Sequence, residues 1–404
     1  MNATANRRSL MILSFTLVVV MLGFGLVIPI FPFFVENLGA GGRELGLLVA
    51  TSALLEFVFA PVWGGISDRI GRKPVLMIGV LGYGLSSLLF GLSTQLWMLF
   101  ASRALSGILS SATLVTSLAY VGDTTAEEDR GKGMGYLGAA MALGVILGPG
   151  LGGWLAGDSL SRPFFIAAAL SMVALLLIFL LLPESLPLEN RRPGGAKIDT
   201  VNFRELWQAL SSPIGVLLLM VALFSFALTN FEAVFGLYAL QKFNYGPEQV
   251  GTILMVIAVV STVGKAVLTG PTTKRWGEPA VIKASLLAGS AGFCALLLAD
   301  TYATILLATA FFILSKTLLR PAALALISKR ATVGQGTAMG LSNSFISLGR
   351  IAGPIWAGFA FDANANYPYL SGSGFMFIGF LLALILISPR QAEPPVESVE
   401  TAVQ

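Results

Sequence analysis

Histidine is absent from the 404 residues, and cysteine occurs once, at Cys294. Without an imidazole the chain cannot build a Ser-His-Asp triad or a histidine zinc site. One cysteine in an apolar stretch excludes a disulfide framework and a thiolate metal site. No Gly-x4-Gly-Lys-[Ser/Thr] sequence occurs, so there is no P-loop through which ATP could drive the chain directly. These absences argue against an enzyme, a bound metal and a cofactor. Charge is scarce as well, at 11% of residues against 55% hydrophobic, where a soluble domain carries about 25% charged residues. Mean hydropathy is +0.82. The balance is that of an all-α integral membrane protein, and the small net charge of +4 gives no reason to expect nucleic acid.

Apolar runs long enough to span a bilayer occur at 10–34, 46–66, 75–93, 97–121, 133–156, 164–182, 212–240, 250–270, 280–299, 303–327, 337–360 and 371–388. The first contains Pro29 and Pro32 and lacks a small-residue cleavage site, so it reads as a retained span and not a signal peptide. Seventeen Lys and Arg, from Arg7 to Arg390, fall at the N-terminus, the C-terminus and the loops after even-numbered spans. The opposite loops hold only Arg43, Arg162 and Lys242. The positive-inside rule then puts both termini in the cytoplasm of a multi-pass protein of the inner membrane. Residues 183–210, with Pro183, Pro187, Pro193, Gly194 and Gly195, read as a cytoplasmic linker between six-span halves at 1–182 and 211–388. Residues 389–404 read as a polar, disordered tail.

The halves repeat. Gly144-x3-Gly148-Pro149 recurs as Gly349-x3-Gly353-Pro354, 205 residues on. Gly64 through Asp68-Arg69-Ile70-Gly71 recurs, degenerated, as Gly270 through Lys274-Arg275-Trp276-Gly277, 206 residues on. Two unrelated motifs in one register mark parallel repeats, as in two-bundle transporters. Gly135, Gly144, Gly148, Gly152 and Gly153 would cluster on one flank of span 5 and let a neighbouring helix approach, while Pro149 permits a kink. That flank reads as a seam that seals and slides without touching substrate.

Gly64-Gly65-Ile66-Ser67-Asp68-Arg69-Ile70-Gly71-Arg72-Lys73-Pro74 matches the loop signature between spans 2 and 3 of the major facilitator superfamily. The chain resembles that superfamily and, within it, the twelve-helix drug:proton antiporters, over residues 10 to 388. Leu22 to Pro32 looks like the span 1 motif of drug exporters, and Arg103-x3-Gly107 like their span 4 motif. Gly135 to Gly153 is similar to their span 5 antiporter motif. Phe231-Glu232 and Arg320-Pro321 look like stretches of quinolone and multidrug pumps, and the segment from Thr269 to Glu278 like tetracycline pumps. The resemblance implies a major facilitator fold of twelve transmembrane helices in two pseudo-symmetric six-helix bundles. A monomer is expected, although sequence does not name the oligomeric state. Two positions depart from the pattern. Val19 replaces the membrane aspartate of tetracycline pumps, and Thr317 replaces the acid before the span 10 arginine of quinolone pumps.

Ionisable residues inside spans are costly and point to function. The spans hold two carboxylates, Glu56 and Glu232, and five cations, Arg103, Lys265, Lys316, Arg320 and Arg350. A proton crossing the core must use Glu56 or Glu232, since Asp68 and Asp123 stand only at the cytoplasmic rim. Glu232 is the expected central substrate or proton site, with Lys316 and Arg320 on one face of span 10. Arg103 is either an anchor for backbone carbonyls or part of proton coupling, and Lys265 is expected to snorkel. Of the aromatics crowding span 7, most are expected to pack, with a minority near Glu232 forming a ligand pocket. Gating is assigned to Asp68, Arg69, Arg72, Asp123, Arg350, Gly144, Gly148, Pro149, Gly353 and Pro354. Asp68 is expected to cap span 11 near Gly336 in one state, and Glu56 to pair with Arg350 across the halves, at matching depths. The function expected is proton-coupled efflux of hydrophobic or amphipathic drug-like molecules by alternating access. A lipid or organic-anion carrier, an uptake symporter and a non-transporting sensor or scaffold are the alternatives.

Overall fold

A computed structural model describes residues 3–125, 127–157, 159–193 and 202–387. The tail expected at 389–404 and the central part of the linker lie outside the described residues. Among the described residues all regular structure is helical, because a backbone in lipid must satisfy its own polar groups. The helices are α1 (Ala3–Val27), α2 (Phe31–Asn37), α3 (Gly42–Ile70), α4 (Arg72–Gly91), α5 (Leu96–Leu105), α6 (Ser111–Thr124), α7 (Arg130–Ala156) and α8 (Arg162–Leu181). After the linker come α9 (Phe203–Leu210), α10 (Gly215–Phe243), α11 (Pro247–Leu297), α12 (Tyr302–Arg330), α13 (Gln335–Ala363) and α14 (Tyr367–Leu386).

These make twelve crossings. Proline breaks the first crossing into α1 and α2, with Pro32 in the first turn of α2. A π-helical turn at Ser106–Ser110 joins α5 to α6 in the fourth. α11 contains the eighth and ninth, folded back at Gly277, whose φ of 75° is open to glycine alone at low cost. Gly71 makes the matching turn between α3 and α4 with φ 108°. The degenerate repeat has kept its backbone conformation 206 residues on. It has also exchanged its charges. Arg72 Nε lies 2.9 Å from Asp123 Oδ2, and in the second half Lys329 Nζ lies 2.5 Å from Glu278 Oε1, at positions 206 residues along. α13 is the crossing least evident from hydropathy, since Ser342, Asn343, Ser344, Ser347 and Arg350 dilute its apolar residues.

Glycine seams hold the halves. A Cβ added at Gly144 would lie 2.6 Å from the Leu22 backbone nitrogen, and one at Gly148 2.5 Å from Gly25 Cα, so α7 lies directly on α1. In the repeat, a Cβ at Gly353 would reach the Phe226 carbonyl at 2.6 Å, so α13 lies on α10 in the same way. The other flanks cross between halves. Gly153 abuts Pro247 and Glu248 of α11, and Gly46 of α3 abuts Pro354 and Gly358 of α13. All these inter-half contacts are at one end of the molecule. At the other end, which carries Arg72, Lys73, Lys274 and Arg275, an added Cβ at Gly131, Gly135, Gly138, Gly270, Gly336 or Gly340 meets nothing within 4 Å. Gly135, expected in the seam, is therefore outside it, because the seam ends before the parted end of α7. Gly148→Val should cost at least about 1–3 kcal/mol through backbone overlap, whereas Gly135→Ala should leave the melting temperature in detergent unchanged or slightly raised.

Candidate substrate and proton site

Packing on one face of α10 decides where Glu232 points. Phe231, Phe235 and Tyr238 recur at i, i+4 and i+7 and are at most 1% exposed. They join Phe312, Phe293 and Tyr369 in one aromatic cluster, with Phe231 and Phe312 centroids 5.2 Å apart. Phe224 is buried too. Phe231 and Phe235 are core, so the ligand pocket expected among these aromatics is not formed by those two; Phe224 lines a small cavity beside Arg320, and Tyr238 an open cleft beside Lys242. With that face committed, Glu232 is turned about 100° away from Phe231, and its side chain is 48% exposed.

α12 supplies its partner. Lys316 Nζ lies 3.3 Å from Glu232 Oε1, and the Lys316 side chain is 11% exposed. A buried ammonium needs such a counter-charge, since removing one partner of a buried pair costs about 3–5 kcal/mol. Arg320, one turn along the same face, is exposed, as is Lys265 on α11.

A second pair bridges the halves. Arg350, midway along α13, sets Nη1 3.3 Å from Glu56 Oε1 and Nη2 3.1 Å from Glu56 Oε2. Glu56 stands midway along α3, and the two side chains are 39% and 42% exposed. The level matching made from sequence thus corresponds to a two-pronged contact. Both membrane carboxylates are held by cations near mid-depth, one within the second half and one between halves.

Arg103 stands apart from this group. Its guanidinium lies 4.2 Å from the Phe31 ring centroid and 5.4 Å from that of Phe90. Phe34 and Phe164 complete the aromatic cluster. Cation–π contact is its main support there, and neither Glu56 nor Glu232 is its partner.

The loop group gathers at the parted end. Arg72 Nη1 is 2.6 Å from Asp68 Oδ1 and also donates to Ser67, while its Nε reaches Asp123. The linker straps over this cluster. Arg192 Nε lies 3.2 Å from Asp68 Oδ2, and Glu184 accepts from the backbone amides of Arg72 and Lys73. Arg69 sits half-buried in the last turn of α3. Asp68 is engaged within its own half and with the linker here, not at Gly336.

Sequence reasoning missed Asp362. Its carboxylate, in the last turn of α13, accepts from the backbone amides of Gly42 at 2.8 Å and Arg43 at 3.0 Å, which open α3 in the other half. An acid on a foreign helix N-terminus satisfies donors that the helix cannot. Asp158, 204 residues earlier in the sequence, is a signal that could have suggested such a position; it lies outside the described residues. Asp362→Asn should weaken the sealed end by about 1 kcal/mol. Spin labels placed across α3 and α13 at that end should report a larger separated population, and an unchanged distance distribution would refute the latch.

Two helical halves, sealed at one end, parted at the other and bridged by an ion pair at mid-depth, define a membrane transporter of the alternating-access kind. A family model described as Major Facilitator Superfamily matches residues 13–315 and 217–403, and the chain belongs to that superfamily. It is 34% identical to Multidrug resistance protein 2 of Bacillus subtilis (strain 168) over 368 residues, covering 91% of this chain and 92% of that protein. It is 28% identical to Quinolone resistance protein NorA of Staphylococcus aureus (strain COL) over 379 residues, covering 94% and 96%. Among solved structures, the nucleoside transporter NupG (D323A mutant) superposes with a TM-score of 0.81 at 14% identity, covering 94% of this chain and 100% of that one. That likeness concerns the fold.

Proposed function

We propose that the protein exports hydrophobic or amphipathic drug-like molecules in exchange for protons. The similarity to multidrug and quinolone resistance proteins over more than nine-tenths of the chain supports this substrate class. The observation that carries the coupling is the pairing of both membrane carboxylates with cations near the middle of the bundle. In a chain without histidine these are the groups that can take up and release a proton there. Protonating either acid neutralises it and frees its cation, so proton and substrate load differently in the two states.

The halves act as rigid bodies in this reading, with residues 1–182 and 211–388 rocking about Glu56 and Arg350 and residues 183–210 as a tether. The basic end faces the cytoplasm by charge bias, both termini lie there, and a single chain is the working unit. The state described above, open at the basic end, would then load substrate from inside. The test is a dye and drug panel in cells stripped of their own pumps, with and without a protonophore. The expected result is lowered dye accumulation that the protonophore restores. Accumulation that is unchanged across the panel, with the protein present in the membrane, would overturn the proposal.

A further inference from the structure

Charges in the middle of the molecule do not balance. Glu56 and Glu232 each hold one cation, Arg350 and Lys316. Lys265 and Arg320 remain. Both are exposed, and among the described residues neither has an ion-pair partner. Arg320 is seven residues short of the end of its apolar span at 327, about 10 Å of rise, which exceeds the reach of its side chain; Lys265 is five residues short of the end of its span at 270, about 8 Å, so its ammonium approaches the basic end while its stem stays among the spans.

Packing puts the two together. The first part of α11 and α12 run in the same direction, and they touch where Thr317 Oγ1 lies 3.3 Å from Ser261 Oγ. A Cβ added at Gly264 would lie 3.0 Å from Leu314 and 3.3 Å from Thr317. Lys265 is one turn beyond Ser261, and Arg320 is one turn beyond Thr317. They therefore reach the same level on adjacent helices; Lys265 lies in the fields of Arg320 and of Glu232, and Arg320 in that of Arg350. Two like charges this close repel, and Glu232, already paired with Lys316, is the one carboxylate whose field reaches Lys265. An anion bound between them would relieve the repulsion.

We propose that Lys265 and Arg320 form an anion subsite that takes the carboxylate of an amphipathic aromatic ligand. The inference rests on the efflux reading above and narrows its substrate class. Arg320 presents a planar fork suited to a carboxylate, and Lys265 adds a point charge from the neighbouring helix. Lys316, occupied by Glu232, stands a turn away and becomes a third donor when Glu232 is protonated.

The test uses a matched pair of dyes, rhodamine B with its free carboxylate and rhodamine B methyl ester, binding to the full-length protein in lipid nanodiscs. The acid should bind about tenfold more tightly than the ester, the size of one charge-assisted contact. Arg320→Gln and Lys265→Gln should each shrink that ratio, and Arg320→Lys should retain part of it. An acid-to-ester ratio near one in the wild type, or a ratio unmoved by both glutamine variants, would overturn the anion subsite. Proteoliposomes separate this from the broader reading. Gradient-driven movement of the ester without acid preference removes the subsite and keeps efflux, whereas no gradient-driven movement of either dye removes the efflux reading.

Discussion

Glu232→Gln should reduce gradient-driven efflux to background while the protein still folds. The amide matches the carboxylate in shape and still offers an oxygen to Lys316, 3.3 Å away in the native pair, but it cannot take up a proton. Coupling is lost for that reason alone. Stability should fall too, because the buried ammonium loses its counter-charge, with about 3–5 kcal/mol as the upper bound. Half of the Glu232 side chain is exposed, so water offsets part of that loss. The double variant Glu232→Gln/Lys316→Gln separates the two effects. It should melt nearer the wild type than the single variant and remain uncoupled. Proteoliposomes with an imposed pH gradient and a cationic dye measure the first quantity, and thermal unfolding in detergent the second. Full gradient-driven transport by Glu232→Gln would remove this residue from the proton path.

The architecture was legible because membrane helices announce themselves by length and apolarity, and because two motifs kept one register over 205 and 206 residues. Gly71 and Gly277 show how deep that register goes. Sequence marked them as equivalent, and both adopt positive φ. Span ends were less legible. α9 was hidden in what read as plain linker although Phe203, Leu206, Trp207 and Leu210 keep helical spacing, because eight residues are far too few to register as a span.

The site was legible in part, and the division has a physical basis. Charges in apolar spans stand out against their surroundings, so Glu56, Glu232, Lys316, Arg320 and Arg350 could be picked from sequence. Depth counted along two helices even matched Glu56 to Arg350. Azimuth could not be counted in the same way, because it depends on which face each helix buries. The aromatic face of α10 settles it for Glu232, and Ser261 against Thr317 settles it for Lys265, a residue expected to snorkel because it lies near the end of its span. Asp362 escaped notice because an acid near a helix end is ordinary, and its partners are backbone amides 320 and 319 residues away in the chain.

Exchanging the charges of Glu56 and Arg350 should not restore transport. As a clasp the native pair is weak. Both side chains are about two-fifths exposed, and pairs in that setting are worth about 0–1 kcal/mol. Holding the halves together falls instead to the glycine seams and the Asp362 cap, which make close backbone contact. What the pair can do is make the bridge depend on protonation: ionised Glu56 binds Arg350 across the boundary, and protonated Glu56 releases it and lets the halves rock. In Glu56→Arg/Arg350→Glu the bridge can re-form, but the titrating acid now sits on α13, in the other half, within the field of Arg320. Its protonation should be disfavoured there, so the bridge should stay shut. Glu56→Gln should do the reverse, leaving the halves unbridged and permitting energy-independent exchange of dye without gradient-driven accumulation. Counterflow and pH-driven uptake in proteoliposomes measure these separately. A swap variant that recovers pH-driven transport to within about twofold of wild type, under half a kcal/mol in barrier, would make the pair a passive clasp and leave Glu232 as the residue that carries the proton.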